Sequence, residues 1–265
     1  VPKALGGTAI PFGYNKFSEL ENIIKNNPDE IGVIIMEVER SIDPEEGFLE
    51  NIRSMADEIG ATLIFDEITS GFKSNLGGVH LQYNIEPDMA IFAKALGNGY
   101  PIAAIIGKRE FMDVAQESFI SSTFWTERLG FVAALATLEK MENENVTISL
   151  NNIAKKIRDG LVSISDKNEV PLEIGGHILM YLSFKHPQAL AMMTYFTQEM
   201  LVRGYLAGAS ICATIAYSDD LIDKFIDTSD KVFSDISLNI KKGTDFKDLL
   251  EGPIKHSGFQ RLTNK

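Results

Sequence analysis

The sequence of 265 residues is short of several things, and each shortage excludes something. Cysteine occurs once, at Cys212, so no intrachain disulfide can form and a reducing, cytoplasmic compartment is expected. Histidine occurs four times (His80, His177, His186, His256) without ligand spacing, so no metal site is expected. No apolar run approaches the ~20 residues of a membrane-spanning helix, and the N-terminus carries no signal-peptide pattern. Positive charge is outnumbered: 25 Lys and Arg against 37 Asp and Glu leave a net charge of −12. Nucleic-acid phosphates and anionic membranes attract basic surfaces, so neither is an expected partner. Repeats and low-complexity tracts are also missing.

What is present is an ordinary globular composition, 45% apolar and 23% charged, long enough for one large domain or two smaller ones. The informative stretch runs from Ala61 to Lys108. It holds two short apolar segments, Thr62-Leu63-Ile64-Phe65 ending at Asp66-Glu67 and Met89-Ala90-Ile91-Phe92-Ala93 ending at Lys94. Continuous apolar runs bounded by turn residues fit buried parallel strands, although a buried helix segment has the same pattern. As central strands they would deliver Asp66 and Lys94 to the carboxyl edge of a sheet, where open α/β folds bind ligands. A carboxylate and an amine converging there fit pyridoxal 5'-phosphate (PLP), which needs a lysine for its Schiff base and an acid for its pyridinium nitrogen.

Around this stretch the chain alternates. Residues 1–16 read as loop, Phe17 to Lys25 as a helix with Ser18 as a cap, and Ile31 to Val38 as a strand ending near Glu37, Glu39 and Arg40. Phe48, Ile52, Met55 and Ile59 have helical spacing, with Gly60 as the stop, which makes strand–helix–strand a parallel crossover. Gly71 to Tyr83 reads as a loop reaching over a site. Ile102 to Ile106 reads as a strand, and Arg109 to Glu117, 127–142 and Val146 to Ile164 as helices. A polar break at Asn143-Glu144-Asn145 divides the chain into 1–143 and 144–265. Beyond it, His177 to Phe184 and Cys212 to Tyr217 read as strands, Pro187 to Arg203 and Leu221 to Ile236 as helices: a small α+β domain.

The pieces LIFDEITSGF (63–72), EPDMAIFAKALGNGYPIAAIIGK (86–108) and STFWTERLGFVAALATLE (122–139) resemble, in order, the class III, fold-type-I PLP-dependent aminotransferases. PDEIGVIIMEVE (28–39) and GFLENIRSMADEIGATL (47–63) extend the likeness, and the glutamate-1-semialdehyde aminomutase-like branch is the nearest in kind. The resemblance implies an α/β fold: a mostly parallel sheet of the PLP-binding large domain, incomplete at its N-terminus, then the small α+β domain. Family members carry further residues upstream, including a glycine-rich phosphate turn and a ring-stacking aromatic. Neither is recognisable here, and the first residue is Val1, so a fragment, a processed product or a chain with its front missing is expected.

By that resemblance Lys94 is the catalytic lysine, forming the Schiff base and moving the proton at the substrate α-carbon. A buried setting would favour its nucleophilic form. The plainer alternative is a strand-end lysine reaching water. Asp66 would keep the ring nitrogen protonated. Its alternatives are an N-cap, or a magnesium-binding acid of a nucleotide hydrolase, which would need a G-x-x-x-x-G-K-[ST] loop that the sequence lacks. Ile68 would lie against the ring, where ordinary core packing asks for the same residue type. Thr123 aligns with a threonine that holds the cofactor phosphate of a neighbouring subunit, which implies a homodimer; a plain helix cap is the alternative. Glu37 is read as a pocket acid or as solvent-exposed, and Lys73 stands where relatives carry arginine. Trp125-Thr126-Glu127-Arg128 replaces a Gly-Asn-Pro pattern found in the aminomutases and in many class III transaminases, which counts against glutamate-1-semialdehyde as substrate. The implied activity is amino-group transfer between a small-molecule donor and a carbonyl acceptor. Its rival is an inactive or truncated fold that serves as a scaffold or partner-binding module.

Overall fold

A computed structural model describes residues 2–39 and 41–258; Val1 and Arg40 lie outside the described residues. The chain divides into two compact units, Val1–Thr147 and Ile148–Lys265.

In the first unit, helix α1 (Phe17–Asn26) precedes strand β1 (Val33–Glu37), helix α2 (Phe48–Ile59) and strand β2 (Thr62–Asp66). A short helix α3 (His80–Tyr83) leads to β3 (Met89–Phe92), a single 3-10 turn (Lys94–Leu96) and β4 (Ala104–Gly107). Helix α4 (Arg109–Met112) and a 3-10 turn (Asp113–Glu117) stand where one helix was expected, and α5 (Leu129–Asn143) follows. The sheet order is β1-β2-β3-β4, with the first three strands parallel and β4 antiparallel. β1–α2–β2 is the crossover that the spacing implied, because Gly60 at φ 68° ends α2 in the left-handed region that glycine adopts at least cost. Ser18 is not the cap of α1; Lys16 holds that position, and Ser18 lies inside the first turn.

Strand alternation sorts the sheet into two faces. Ile34, Leu63 and Phe65 are buried and form one cluster with Leu49, Ile52 and Ala56 of α2. Burying three aliphatic side chains of α2 contributes on the order of 1.5–3 kcal/mol for each large one, which fixes α2 on that face. Val33, Ile35 and Ile105 on the other face remain 53%, 54% and 52% exposed. In register with them stand Thr62, Ile64 and Asp66, so Asp66 belongs to this more open face, at its carboxyl edge.

The second unit is a three-stranded antiparallel sheet with helices. It contains most of α6 (Val146–Asn168), then β5 (Leu172–Gly175), β6 (Leu179–Phe184), α7 (Ala189–Val202), β7 (Ser210–Cys212) and α8 (Asp219–Lys242). β5 was not foreseen; it is four residues long, and the Arg158 guanidinium fastens its end by donating to the carbonyls of Ile174 (3.0 Å) and Gly176. The strand expected over Cys212 to Tyr217 occupies Ser210–Cys212 instead. Cys212 pairs with Leu179, the first residue of β6, and the pairing ends one step further, where Ala213 N–H donates to Ile178 O at 2.9 Å. Phe196, Met192 and Met200 of α7 and Phe233 and Ile236 of α8 are fully buried, with Phe196 and Phe233 rings edge to face at 5.8 Å.

Candidate active site

The site begins with two strand ends. Asp66 is the last residue of β2 and pairs with Ile91 of β3, so the chain leaves both strands at nearly the same level. Glu67 N–H still donates to Ile91 O at 2.9 Å, carrying the ladder one step further before the chains part. After β3 the backbone turns abruptly. Lys94 has φ +46°, a left-handed conformation that costs a non-glycine residue roughly 1–2 kcal/mol. Backbone bonds lock the turn: Leu96 N–H to Ala93 O (3.0 Å), Gly97 and Asn98 N–H to Lys94 O (3.2 and 3.0 Å), and Asn98 N–H also to Ala95 O (3.1 Å). Gly97 permits it by size, since a Cβ there would run into Tyr100 O and come within 2.7 Å of Ile102 Cγ2.

After β2 the chain folds back on itself through Asp66–Lys73. Asp66 Oδ1 accepts the Ile68 N–H at 3.0 Å, closing an Asx turn. Lys94 Nζ then donates to Thr69 Oγ1 at 2.7 Å, so the turn after β2 and the turn after β3 are joined through Thr69. The Thr69 carbonyl accepts from Lys73 Nζ, and Gly71 N–H closes on Glu67 O at 2.8 Å.

Behind this edge lies a fully buried carboxylate. Glu67 Oε1 accepts from His80 N–H (2.9 Å) and lies 2.8 Å from His80 Nδ1; Oε2 accepts from Ser70 Oγ (2.6 Å) and Val79 N–H (3.0 Å). Burial pushes the Glu67 carboxyl up, but the bonds from His80, Ser70 and Val79 outweigh it and hold the group below the ordinary carboxylate value. An ionised carboxylate only accepts, so His80 Nδ1 carries the proton in this contact. Both oxygens are committed to holding the 70–80 loop, which leaves Glu67 no free oxygen for a metal ion.

The residues singled out from sequence are distributed unevenly. Asp66, Ile68 and Lys94 gather at the sheet edge, and Glu37 pairs with Asp66 across β1 and β2. The burial expected around Lys94 is not found: the residue is exposed. Thr123 stands exposed in a turn and takes no part in the bonds joining Asp66, Thr69 and Lys94. Nor does it cap α5. Glu127 does so, accepting from Leu129 N–H (2.7 Å) and Gly130 N–H (3.2 Å), which hold its carboxyl below the ordinary value. Thr69, Glu67 and His80 were not singled out. Thr69 is one hydroxyl in Ile-Thr-Ser, and only the closure of the turn gives it a role.

The chemistry of the donor set tests whether PLP fits. Among the described residues, Asp66 Oδ2 has no hydrogen-bond partner and Asp66 has no ion-pair partner, so a half-buried carboxylate is free to take an external N–H. A primary amine stands at the end of the next strand. Those are the two groups that an aldehyde-bearing pyridine requires, and the residues fit it. Among the described residues no group of three or more His, Cys, Asp or Glu could hold a metal ion.

The family model for aminotransferase class-III matches residues 14–232. The chain belongs to the class-III aminotransferase family. Two relatives illustrate how this class-III chain compares. It is 34% identical over 197 residues to a 3-aminobutyryl-CoA aminotransferase of Cloacimonas acidaminovorans (strain Evry), covering 71% of this chain and 48% of the relative. It is 33% identical over 168 residues to a glutamate-1-semialdehyde 2,1-aminomutase of Ignicoccus hospitalis, covering 61% and 40%. The chain thus spans about half the length of the curated relatives it matches. Among solved structures it is similar to the PLP internal aldimine form of Sphingopyxis sp. MTA144 FumI protein, with a TM-score of 0.79 at 22% identity, covering 91% of this chain and 60% of that one. An omega-transaminase from Sphaerobacter thermophilus gives 0.79 at 21% identity, covering 88% and 59%. At these identities the likeness establishes the fold: a class-III sheet of which this chain carries part. Pyridoxal phosphate is the cofactor of the class-III family.

Proposed function

We propose that the protein acts as a PLP-dependent amino-group transferase. The observation that carries this reading is the pairing of Asp66 and Lys94 at the carboxyl ends of adjacent parallel strands, tied together through Thr69. Bound PLP supplies an electron sink for the pair left behind when the substrate α-proton departs. Lys94 Nζ would hold the cofactor covalently and then move that proton. Asp66, through Oδ2, would hold the proton on the ring nitrogen. Ile68 would pack against the ring, and Thr123, exposed and unconnected to its own Lys94, would serve the phosphate of a second copy's site in a homodimer.

The substrates follow from the family only in class: a small-molecule amino donor and a carbonyl acceptor. The departure of Trp125-Thr126-Glu127-Arg128, beside Thr123, from the Gly-Asn-Pro pattern shared by aminomutases and many class III transaminases counts against glutamate-1-semialdehyde as substrate. One relative, a 3-aminobutyryl-CoA aminotransferase, points to a β-amino acyl thioester as one donor to try. A second reading has a specific observation behind it. Lys94 is exposed and the Asp66 face of the sheet leaves Val33 and Ile35 half exposed, which favours a scaffold or partner-binding chain that holds no cofactor unaided. Titrating the protein with PLP decides between them. A visible absorbance band that disappears in Lys94→Ala supports the transferase; its absence in the wild type supports the scaffold.

A further inference from the structure

The Lys94 amine does not hang freely from its turn. Its Nζ lies 2.7 Å from Thr69 Oγ1, and Thr69 sits in a loop after β2 that is held on both sides of it. The residue before it gives its N–H to Asp66 (3.0 Å), the residue after it gives its hydroxyl to the buried Glu67 (2.6 Å), and its own carbonyl is taken by Lys73. A β-branched side chain on so fixed a backbone has few rotamers left. The amine side is equally fixed, because Lys94 is held at φ +46° by the bonds of its turn. Two over-determined backbones therefore present one hydroxyl to one amine.

We infer that Thr69 is a catalytic residue: its hydroxyl seats the Lys94 amine in the position from which it attacks a carbonyl and to which it returns. This rests on the transferase reading above and adds a residue to it. A hydroxyl suits the task because it accepts from the ammonium form and donates to the lone pair of the neutral amine, so the contact survives the change of charge. An acid in that place would hold the amine as a tight ion pair, and a valine would leave it to wander over the several rotamers open to a long lysine side chain.

The test compares wild type, Thr69→Val and Thr69→Ser, in the whole protein stripped of cofactor. Each is exposed briefly to PLP, trapped with borohydride and mapped by peptide mass, with Lys108 as the internal reference. The expected result is labelling at Lys94 slowed about fivefold in Thr69→Val, the scale of one ordinary hydrogen bond at an exposed site, and restored in Thr69→Ser. The thermal midpoints should agree within about 2 °C, because the exposed contact contributes little to stability. Equal Lys94 labelling in wild type and Thr69→Val overturns the inference and leaves the transferase reading standing. A slow Thr69→Val whose midpoint also drops, with no rescue by Thr69→Ser, overturns it as well. A wild type that never labels at Lys94 removes the transferase reading itself, and the inference with it.

Discussion

Replacing Glu67 by alanine should be among the most damaging single changes in the first unit. Its two oxygens, at 0% exposure, serve four donors: the Ser70 hydroxyl, the backbone N–H groups of Val79 and His80, and His80 Nδ1. Alanine strands all four. Each buried donor left unmade costs about 1–3 kcal/mol, partly offset because a desolvated charge has been removed and water can enter. The expected net loss is about 3–5 kcal/mol, while Glu67→Gln, which keeps one acceptor oxygen, should lose about 2 kcal/mol. Urea unfolding followed by circular dichroism gives the total. Hydrogen exchange on a peptide covering 74–84 gives the local part, since the Val79 and His80 amides should lose protection first. The sign of the pH dependence follows from the same contacts. The native carboxyl lies below its unfolded value, so its contribution is complete above the ordinary carboxylate range of about pH 4.3 and is lost as pH falls through the native value. Glu67→Gln should therefore flatten the acid side of the stability curve. A Glu67→Ala protein within 1 kcal/mol of wild type, with unchanged exchange at Val79 and His80, would refute the clamp.

Asp88 should behave similarly: buried to 3%, it accepts from Leu63 N–H (2.8 Å), Arg53 (3.1 Å) and Lys108 (2.8 Å). Burial pushes its carboxyl up, the three donors pull it lower still, and Asp88→Asn should cost about 2–4 kcal/mol in urea melts at pH 7 and less as the pH falls below about 4. Gly97→Ala should abolish the PLP absorbance change without global unfolding, because the added methyl collides with Tyr100 O and Ile102 in the turn that places Lys94. Asp66→Asn should bind PLP more weakly by tenfold or so in a fluorescence titration, since a neutral amide does not hold a proton on the ring nitrogen. Ser218→Ala should cost about 1 kcal/mol by removing the cap that accepts from Leu221 N–H at 3.2 Å, read as a lower thermal midpoint.

Much of the first unit was legible in the sequence because its signals are local. Thr62–Asp66 and Met89–Phe92 are short apolar runs between turn residues, and they are strands in register. Gly60 ended α2 where a glycine was needed at positive φ. What was misread depends on partners distant in sequence. Cys212 to Tyr217 has strand-like composition throughout, but β6 begins at Leu179 and the pairing stops once Ala213 N–H has donated to Ile178 O. The helix expected from Arg109 to Glu117 tightens into a 3-10 turn after Met112. Burial of Lys94 was inferred from an apolar neighbourhood along the chain, whereas burial is set by what crosses above the sheet edge.

The same distinction governs the site. Asp66 and Lys94 could be found because a charge that terminates an apolar strand is visible in one dimension. Thr69 could not, because nothing in Ile-Thr-Ser separates the hydroxyl that meets Lys94 from the one that meets Glu67. Three backbone features make the difference: the Asx turn at Asp66, the closure of Gly71 on Glu67, and the left-handed Lys94. Gly71 shows how little freedom that leaves, since a Cβ there would come within 2.7 Å of Phe92 Cδ1 and 2.8 Å of Glu67 O. A larger residue at 71 would have to push the loop off β3 and carry Thr69 away from Lys94. Gly71→Ala should therefore mimic Thr69→Val in Lys94 labelling while also lowering the thermal midpoint, a combination that Thr69→Val does not produce.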